Sequence, residues 1–456
     1  MSEEDMEGID LAYELDDKPP LVEAAVLGLQ HVSVMIVPST AVAFIVAGAI
    51  GLGTADTAFL VQMAILFAGI ATLVQVYTVG PIGARLPIVM GTSFAFVGAM
   101  ISIGGGSGID AVFGAIVVTG LIVPGLIGWQ FKRLQAFFPP LVTGLIVIII
   151  GLYLIPVGMQ YSAGGVGAED FGAPIHLGLA ALVLLIAVLF NLFLKGVWRM
   201  LSILIGIAVG YVTAIALGVV SFDPIADAAW FEIPYPGHFG FSFEPIAILT
   251  IGAIFLVSNM ETIGDMTGIT AAEGRNPTTK EFRGGILADG FMSSLGGIFG
   301  SFPQTSFSQN VGIVNFTGVM SRHVVGIGGI ILVVLGLIPK VGAVVTTIPD
   351  AVFGGAVLVM VAMVAASGMR LLHLNIDMNR RNMVIIATSL GLGLGVVAVP
   401  EVLAELPEGI QTFFGNAVIM TGFTALILNT FVPGDSSPLF DVAENVPEIS
   451  EPVGDD

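Results

Sequence analysis

The chain contains no cysteine among its 456 residues. That excludes a disulfide framework and any thiolate chemistry, and it leaves no redox mark of the compartment. Positive charge is almost as scarce, with 14 basic residues against 34 acidic ones and a formal net charge of −20. A nucleic-acid binder needs a basic face, so that class is excluded too. Charged types make up only 11% of the chain, where a soluble globule carries about 25%. What is present instead is apolar: 55% hydrophobic types and 60 glycines. A water-soluble fold and a disordered chain are both ruled out, and a polytopic membrane protein in a lipid bilayer remains.

The acidity is unevenly placed. Eight acids fall in Met1–Asp17, where no basic residue occurs, and seven follow Pro433. A secretory signal begins with a basic region, so the first stretch is not expected to be one. Both ends read as solvated acidic tails, 1–20 and 433–456. Acid enrichment also suits a protein facing very salty water, a hypothesis that an equally acidic relative from a low-salt organism would weaken.

Uncharged runs and their punctuation predict fourteen spans of roughly the length a bilayer requires. Seven fall in 21–222, near 22–49, 57–77, 86–103, 111–130, 138–159, 175–194 and 201–221. Seven more fall in 245–432, near 246–270, 285–301, 305–318, 324–345, 351–369, 382–400 and 410–431. With a cytoplasmic N-terminus, thirteen of the fourteen basic residues lie in inside loops and only Lys340 lies outside, as the positive-inside rule expects. An even count returns both tails to the cytoplasm. Seven spans per half, joined by an outside linker over 223–244, force the second half to be inverted relative to the first, an arrangement common in secondary transporters. Thr92-Ser93-Phe94 and Thr305-Ser306-Phe307 echo each other at the third span of each half.

Polar residues inside spans carry the chemistry. A carboxylate at the bilayer centre costs about 3 kcal/mol on insertion scales. Glu261 and Asp265 are four residues apart and therefore share one face of a helix; Asp289 sits in Ala288-Asp289-Gly290. Asp265 also reads as a charge that stabilises a helix end. Ser308-Gln309-Asn310 follows the Pro- and Ser-rich stretch Ser301–Ser306, which reads as a discontinuous helix. Gly91-Thr92-Ser93-Phe94-Ala95-Phe96 reads the same way in the first half. Two broken helices at corresponding positions point to a central binding site. His31, beside Gln30 in the first span, reads first as a satisfied structural hydrogen-bonder.

Gln309-Asn310-Val311-Gly312, continuing to Thr317-Gly318, resembles the signature of the nucleobase–ascorbate transporter family, also called the xanthine/uracil permeases. That signature is Gln, Glu or Pro, then Asn, any residue, Gly, four of any, Thr, then Arg, Lys or Gly. Ala288–Gly290, Phe302–Asn310, Glu261–Asp265, Gly91–Phe96 and Gln30-His31 resemble the same family. The resemblance implies an all-α polytopic membrane protein with a 7+7 inverted repeat. Spans 1–4 and 8–11 would form a core domain, spans 5–7 and 12–14 a gate domain, and short antiparallel strands would replace helix in spans 3 and 10. It implies homodimers joined through gate domains, in the plasma membrane. For the site it implies that Glu261 and Gln309 bind the base, that Phe94 stacks on it, and that backbone N–H groups of Ala95 and Ser308 hold carbonyl oxygens. Asn310 would brace the site; Asp265, Asp289 and His31 would organise it or its proton traffic. Some uracil-type members carry His where Asp265 stands.

The expectation is a proton-coupled symporter of a nucleobase, with no cofactor beyond the coupling ion. Gln309 offers both a donor and an acceptor, which suits the alternating edge of an oxopurine and favours xanthine or urate over uracil. Uracil–proton symport, sodium coupling, an anion transporter on the related 7+7 fold and a non-transporting sensor are the alternatives. No G-x-x-x-x-G-K-[ST] loop occurs, so ATP-driven transport is not expected.

Overall fold

A computed structural model describes residues 11–134, 139–165 and 167–433. The acidic runs 1–10 and 434–456 lie outside the described residues. The first half holds α1 (Leu21–Ala49), α2 (Thr54–Tyr77), β1 (Met90–Thr92), α3 (Val97–Gly106), α4 (Ile109–Leu134), α5 (Pro140–Tyr153), α6 (Ile155–Ser162), α7 (Pro174–Phe193), α8 (Val197–Met200) and α9 (Ser202–Ala216). A linker with the short α10 (Asp223–Asp227) follows. The second half holds α11 (Pro245–Thr270), α12 (Thr279–Ile298), β2 (Gln304–Ser306), α13 (Ser308–Thr317), α14 (Arg322–Gly336), α15 (Pro339–Thr346), α16 (Asp350–Asn375), α17 (Arg380–Ala398), α18 (Glu408–Phe414) and α19 (Ala417–Phe431).

Punctuation in the sequence sets the helix starts. Pro140, Pro174, Pro245 and Pro339 each stand in the first turn of a helix, where a missing N–H costs nothing. α12 opens differently, on a capping box in which the Thr278 side chain and the Glu281 side chain answer each other's backbone N–H groups. That start corrects the expected bound of 285. Lys280, Glu281 and Arg283 made the first turn look like loop, yet a cap and its charges belong at a helix start.

Each of the fourteen apolar stretches contains helix, but not each is one long helix. Among the described residues, eight helices are long and apolar enough to cross a bilayer, and α14 with α15, bent by 80°, makes a ninth candidate. Phe94–Gly106, Ser202–Ala216 and Ala417–Phe431 are apolar but shorter.

The helices pack through small residues, which allow backbones to approach closely. A Cβ on Gly69 of α2 would fall 2.7 Å from the carbonyl oxygen of Gly329 on α14. A Cβ on Gly290 of α12 would fall 2.3 Å from that of Gly120 on α4. The strongest packing pairs α4 with α12, α2 with α14, α5 with α16, α4 with α11, α7 with α9 and α17 with α19. The linker is pinned to the start of α2, where His238 meets Asp56 at 3.2 Å and stacks on Phe59 with ring centres 4.0 Å apart.

Candidate functional site

Two three-residue strands cross at the middle of the molecule. β1 and β2 run antiparallel, with Met90 opposite Ser306, Gly91 opposite Thr305 and Thr92 opposite Gln304. Such short strands need help from their surroundings. The flanking chain extends the pairing: Ser93 N–H donates to Pro303 O at 2.9 Å and Phe307 N–H to Val89 O at 3.0 Å. Hydroxyls from three helices take the outward N–H groups. Thr72 of α2 accepts from Met90 N–H (2.9 Å), Ser39 of α1 from Thr92 N–H (3.2 Å) and Ser293 of α12 from Gln304 N–H (2.8 Å). Non-helical backbone among apolar helices survives only where it is answered in this way.

Beyond each strand the chain becomes helical again. Phe94–Phe96 forms a 3-10 turn that leads into α3, and α13 begins at Ser308. Ser93 Oγ accepts from Ala95 N–H at 3.3 Å. α13 has no side-chain cap, and the N–H groups of Ser308 and Gln309 have no internal partner among the described residues. The exposed N–H groups of a helix start favour electron-rich ligand atoms.

Both helix starts border a narrow cavity of about 40 Å³, room for a few waters. Thr92-Ser93-Phe94-Ala95 and Thr305-Ser306-Phe307 line it together with Glu261 and Gln309. Val147 and Ile150 of α5 and Val364 of α16 supply an apolar wall. Among the described residues, neither the Glu261 carboxylate nor the Gln309 amide makes a hydrogen bond inside the protein.

The model of the permease family that takes in xanthine and uracil permeases matches residues 22–402. The chain belongs to that family. Similar proteins include the xanthine permease of Bacillus subtilis, 41% identical over 404 residues (88% of this chain, 92% of that one). The xanthine permease XanQ of Escherichia coli is 38% identical over 450 residues (95% and 96%). The uric acid permease PucK of B. subtilis is 38% identical over 412 residues (90% and 95%). In fold, the chain is similar to murine Slc26a9, an anion transporter solved in an inward-facing state. The TM-score is 0.64 at 11% identity, covering 91% of this chain and 69% of that one. The transmembrane domain of the cyanobacterial bicarbonate transporter BicA gives 0.55 at 12% (89% and 97%). The chain is thus a multi-pass membrane permease, not an enzyme.

The permease brings some of the sequence-nominated residues to the cavity and places others behind it. Glu261, Gln309, Phe94 and Ala95 line the cavity, and Ser308 starts α13 beside Gln309. Asp265 shares α11 with Glu261, but Ser306 Oγ donates to it at 2.5 Å, so it is tied to β2. Asp289 is 2% exposed. Thr262 donates to one of its oxygens and Gln75 Nε2 to the other at 3.4 Å. Asn310 Nδ2 donates to the carbonyl of His31 at 3.1 Å and meets His31 Nδ1 at the same distance, which fastens α13 to α1.

Sequence reasoning did not find Thr262, Gln75, Phe307 or the apolar wall. Thr262 also reaches Thr305 (3.2 Å) and Ser306 (3.3 Å), so one hydroxyl links α11, α12 and β2. The repeated Thr-Ser-Phe was a signal for Phe307, because both copies line the cavity.

Proposed function

We propose that this permease is a secondary transporter that carries a nucleobase, xanthine or urate in preference to uracil, across the plasma membrane together with a proton. The observation that carries the reading is the pair Glu261 and Gln309. Asp265, Asp289, Asn310 and His31 each hold an internal hydrogen bond, whereas Glu261 and Gln309 face one cavity with open hydrogen-bonding capacity. Glu261 accepts from ring N–H groups, Gln309 both donates and accepts, and Phe94 with Phe307 offers apolar ring faces. Ala95 N–H holds a substrate carbonyl only by sharing or leaving its bond to Ser93; the N–H of Ser308 is available at once. The names of the similar permeases agree with a purine cargo.

In this reading the chain crosses the bilayer fourteen times, with both termini cytoplasmic. The packing supports the repeat. Under exchange of the two halves, the pair α4–α12 maps onto α14–α2, α7–α9 onto α17–α19, and α5–α16 and β1–β2 onto themselves. The short third and tenth spans reach far enough because extended chain rises faster than helix. β1 contributes about 10 Å and α3 about 15 Å. The core carries Glu261 and Gln309, the gate carries Val147, Ile150 and Val364, and the protein works as a gate-joined homodimer. A cavity of about 40 Å³ is too small for a purine, so loading requires core and gate to part.

Proton coupling follows from charge. A neutral base with a protonated Glu261 leaves no uncompensated charge in the low-dielectric seam, whereas an ionised, empty Glu261 resists the move. No cofactor is needed. The single carboxylate in the cavity argues against a small inorganic anion as cargo, even though the solved structures of similar fold are anion transporters; a purine that is itself acidic, as uric acid is, enters with Glu261 protonated. Counterflow of labelled xanthine, urate and uracil in proteoliposomes, with and without a pH or sodium gradient, tests the reading. Exchange of xanthine or urate and accumulation driven by pH are expected. No uptake of any base overturns it. Accumulation driven by sodium alone overturns the proton, and a preference for uracil overturns the purine.

A further inference from the structure

A second cavity, of about 290 Å³, lies between the end of α1, the start of α2, the end of α6 and the start of α16. It resembles the central one in chemistry. Phe44 and Tyr161 form an aromatic corner, with ring centres 5.7 Å apart and planes tilted by 48°. Thr57 and Thr346 add hydroxyls, and Asp350 adds a carboxylate that makes no hydrogen bond among the described residues. The Tyr161 hydroxyl donates to the carbonyls of Phe44 (3.2 Å) and Ile45 (3.4 Å), which joins α6 to α1 beside the cavity. α16 runs from one cavity to the other: Asp350 lines this one and Val364 the central one, about 21 Å apart along a helix. In the proposed topology this is the outer mouth of the seam between core and gate.

We propose that this cavity is an outer binding site for the heterocycle that the central cavity accepts, with Asp350 as acceptor for its N–H groups and Phe44 with Tyr161 as the apolar wall. The proposal rests on the nucleobase reading above. A planar, neutral ring with N–H donors fits one carboxylate, two hydroxyls and an aromatic corner. A metal cation needs several oxygen ligands, and among the described residues no group of three or more acidic, His or Cys side chains could hold one. A carboxylate at a helix start also favours the helix dipole, so the test must read more than folding.

The test compares uptake from each face of sided proteoliposomes for Asp350→Ala and Asp350→Asn. Loss of a charge-assisted hydrogen bond corresponds to about a tenfold change. Asp350→Ala is expected to raise KM for influx about tenfold and Asp350→Asn less, with the influx kcat and the KM for efflux unchanged; because both directions share one equilibrium, the efflux kcat falls in the same proportion. Leu52→Trp, in the loop after α1, fills the same cavity without touching Asp350 and is expected to give the same one-sided defect. Equal KM changes on both faces, or no change on either in a folded variant, overturn the proposal. Wild-type protein that moves no base fails the nucleobase reading instead.

Discussion

Behind the crossed strands, Thr262 and Gln75 donate to Asp289, Ser306 donates to Asp265, and Asn310 holds His31. In front of them, Glu261 and Gln309 face a cavity without an internal partner. Glu261 adjoins Thr262 and Gln309 adjoins Asn310 in the sequence, so the two regions share stretches of chain and carry the same residue types. What separates them is whether their hydrogen bonds are spent. Spent groups hold the strand crossing in shape, because an unanswered polar group away from water costs several kcal/mol. Unspent groups are the ones that a ligand can use.

Glu261→Gln gives the sharpest way to break this contrast. It keeps size and shape but removes the charge and the purely accepting edge. Transport efficiency, kcat/KM, is expected to fall about 10- to 100-fold, because the loaded carboxyl is protonated and its two neutral hydrogen bonds are worth about 0.5–1.5 kcal/mol each. Concentrative uptake at acid pH should disappear. If Glu261→Gln still accumulates substrate with full response to pH, the division between spent and unspent groups does not locate function.

Asp289→Ala is expected to act on the fold before it acts on binding. It leaves the Thr262 hydroxyl and the Gln75 amide buried without their acceptor, at about 1–3 kcal/mol for each group. Gln75 retains its bond to Gly285 O (3.2 Å), and Ala84 N–H still donates to it (2.9 Å), so the total should fall near the lower end. Thermal unfolding in detergent should shift down, and Asp289→Asn should recover most of the loss. Full stability of Asp289→Ala, with binding abolished, would move Asp289 into the group that touches substrate.

The division was only half legible in the sequence. Carboxylates and amides inside apolar runs stand out by type, so Glu261, Asp265, Asp289, Gln309 and Asn310 could all be named. Their roles could not be separated, because partners come from far along the chain: Gln75 meets Asp289 across 214 positions, and Asn310 meets His31 across 279. Hydroxyls such as Thr72, Ser39 and Ser293 were invisible, since Ser and Thr in an apolar helix usually bond their own backbone. Val147, Ile150 and Val364 carried no signal at all, being apolar among apolar residues. Spans were easy to see from long hydrophobic runs, but the strands inside two of them came only from the family resemblance.

Gln309→Glu probes the open side more gently. It replaces a donor–acceptor amide with an acceptor and leaves the fold alone, since Gln309 is exposed and bonded to nothing inside. The ratio of xanthine to uracil transport should change by about tenfold, the value of one hydrogen bond to a charged or mismatched partner. An unchanged ratio would show that Gln309 faces the cavity without reading the base.

The smallest expected effect lies outside the membrane, where the contrast can be checked on a spent group that water reaches. Residues 12–17 lie along the chain between α13 and α14: Ala12 N–H donates to Gly318 O (2.9 Å), Met320 N–H to Tyr13 O (2.9 Å) and Arg322 N–H to Leu15 O (3.0 Å). Asp16 fastens this strap through Arg322 at 2.5 Å and Arg85 at 3.1 Å. The hydrogen bond from Arg322, before any other influence, holds the Asp16 carboxyl below its ordinary range. A lowered carboxyl stabilises the attached form above the ordinary value and loses that contribution as pH falls through the lowered one. Asp16 is largely solvated, so Asp16→Asn should cost at most about 1 kcal/mol. Amide exchange at Ala12, Met320 and Arg322 should quicken severalfold in the variant at neutral pH, and in the wild type only on acidification below the usual Asp range. Transport should stay within about twofold of normal, because the contact is a restraint on one end of the chain and no part of the cavity. Unchanged exchange in Asp16→Asn would mean that the backbone bonds and the Ser321 hydroxyl, which donates to Asp17 O at 2.6 Å, hold the strap without Asp16, and that a spent charge at the surface, unlike Asp289 in the interior, contributes nothing measurable.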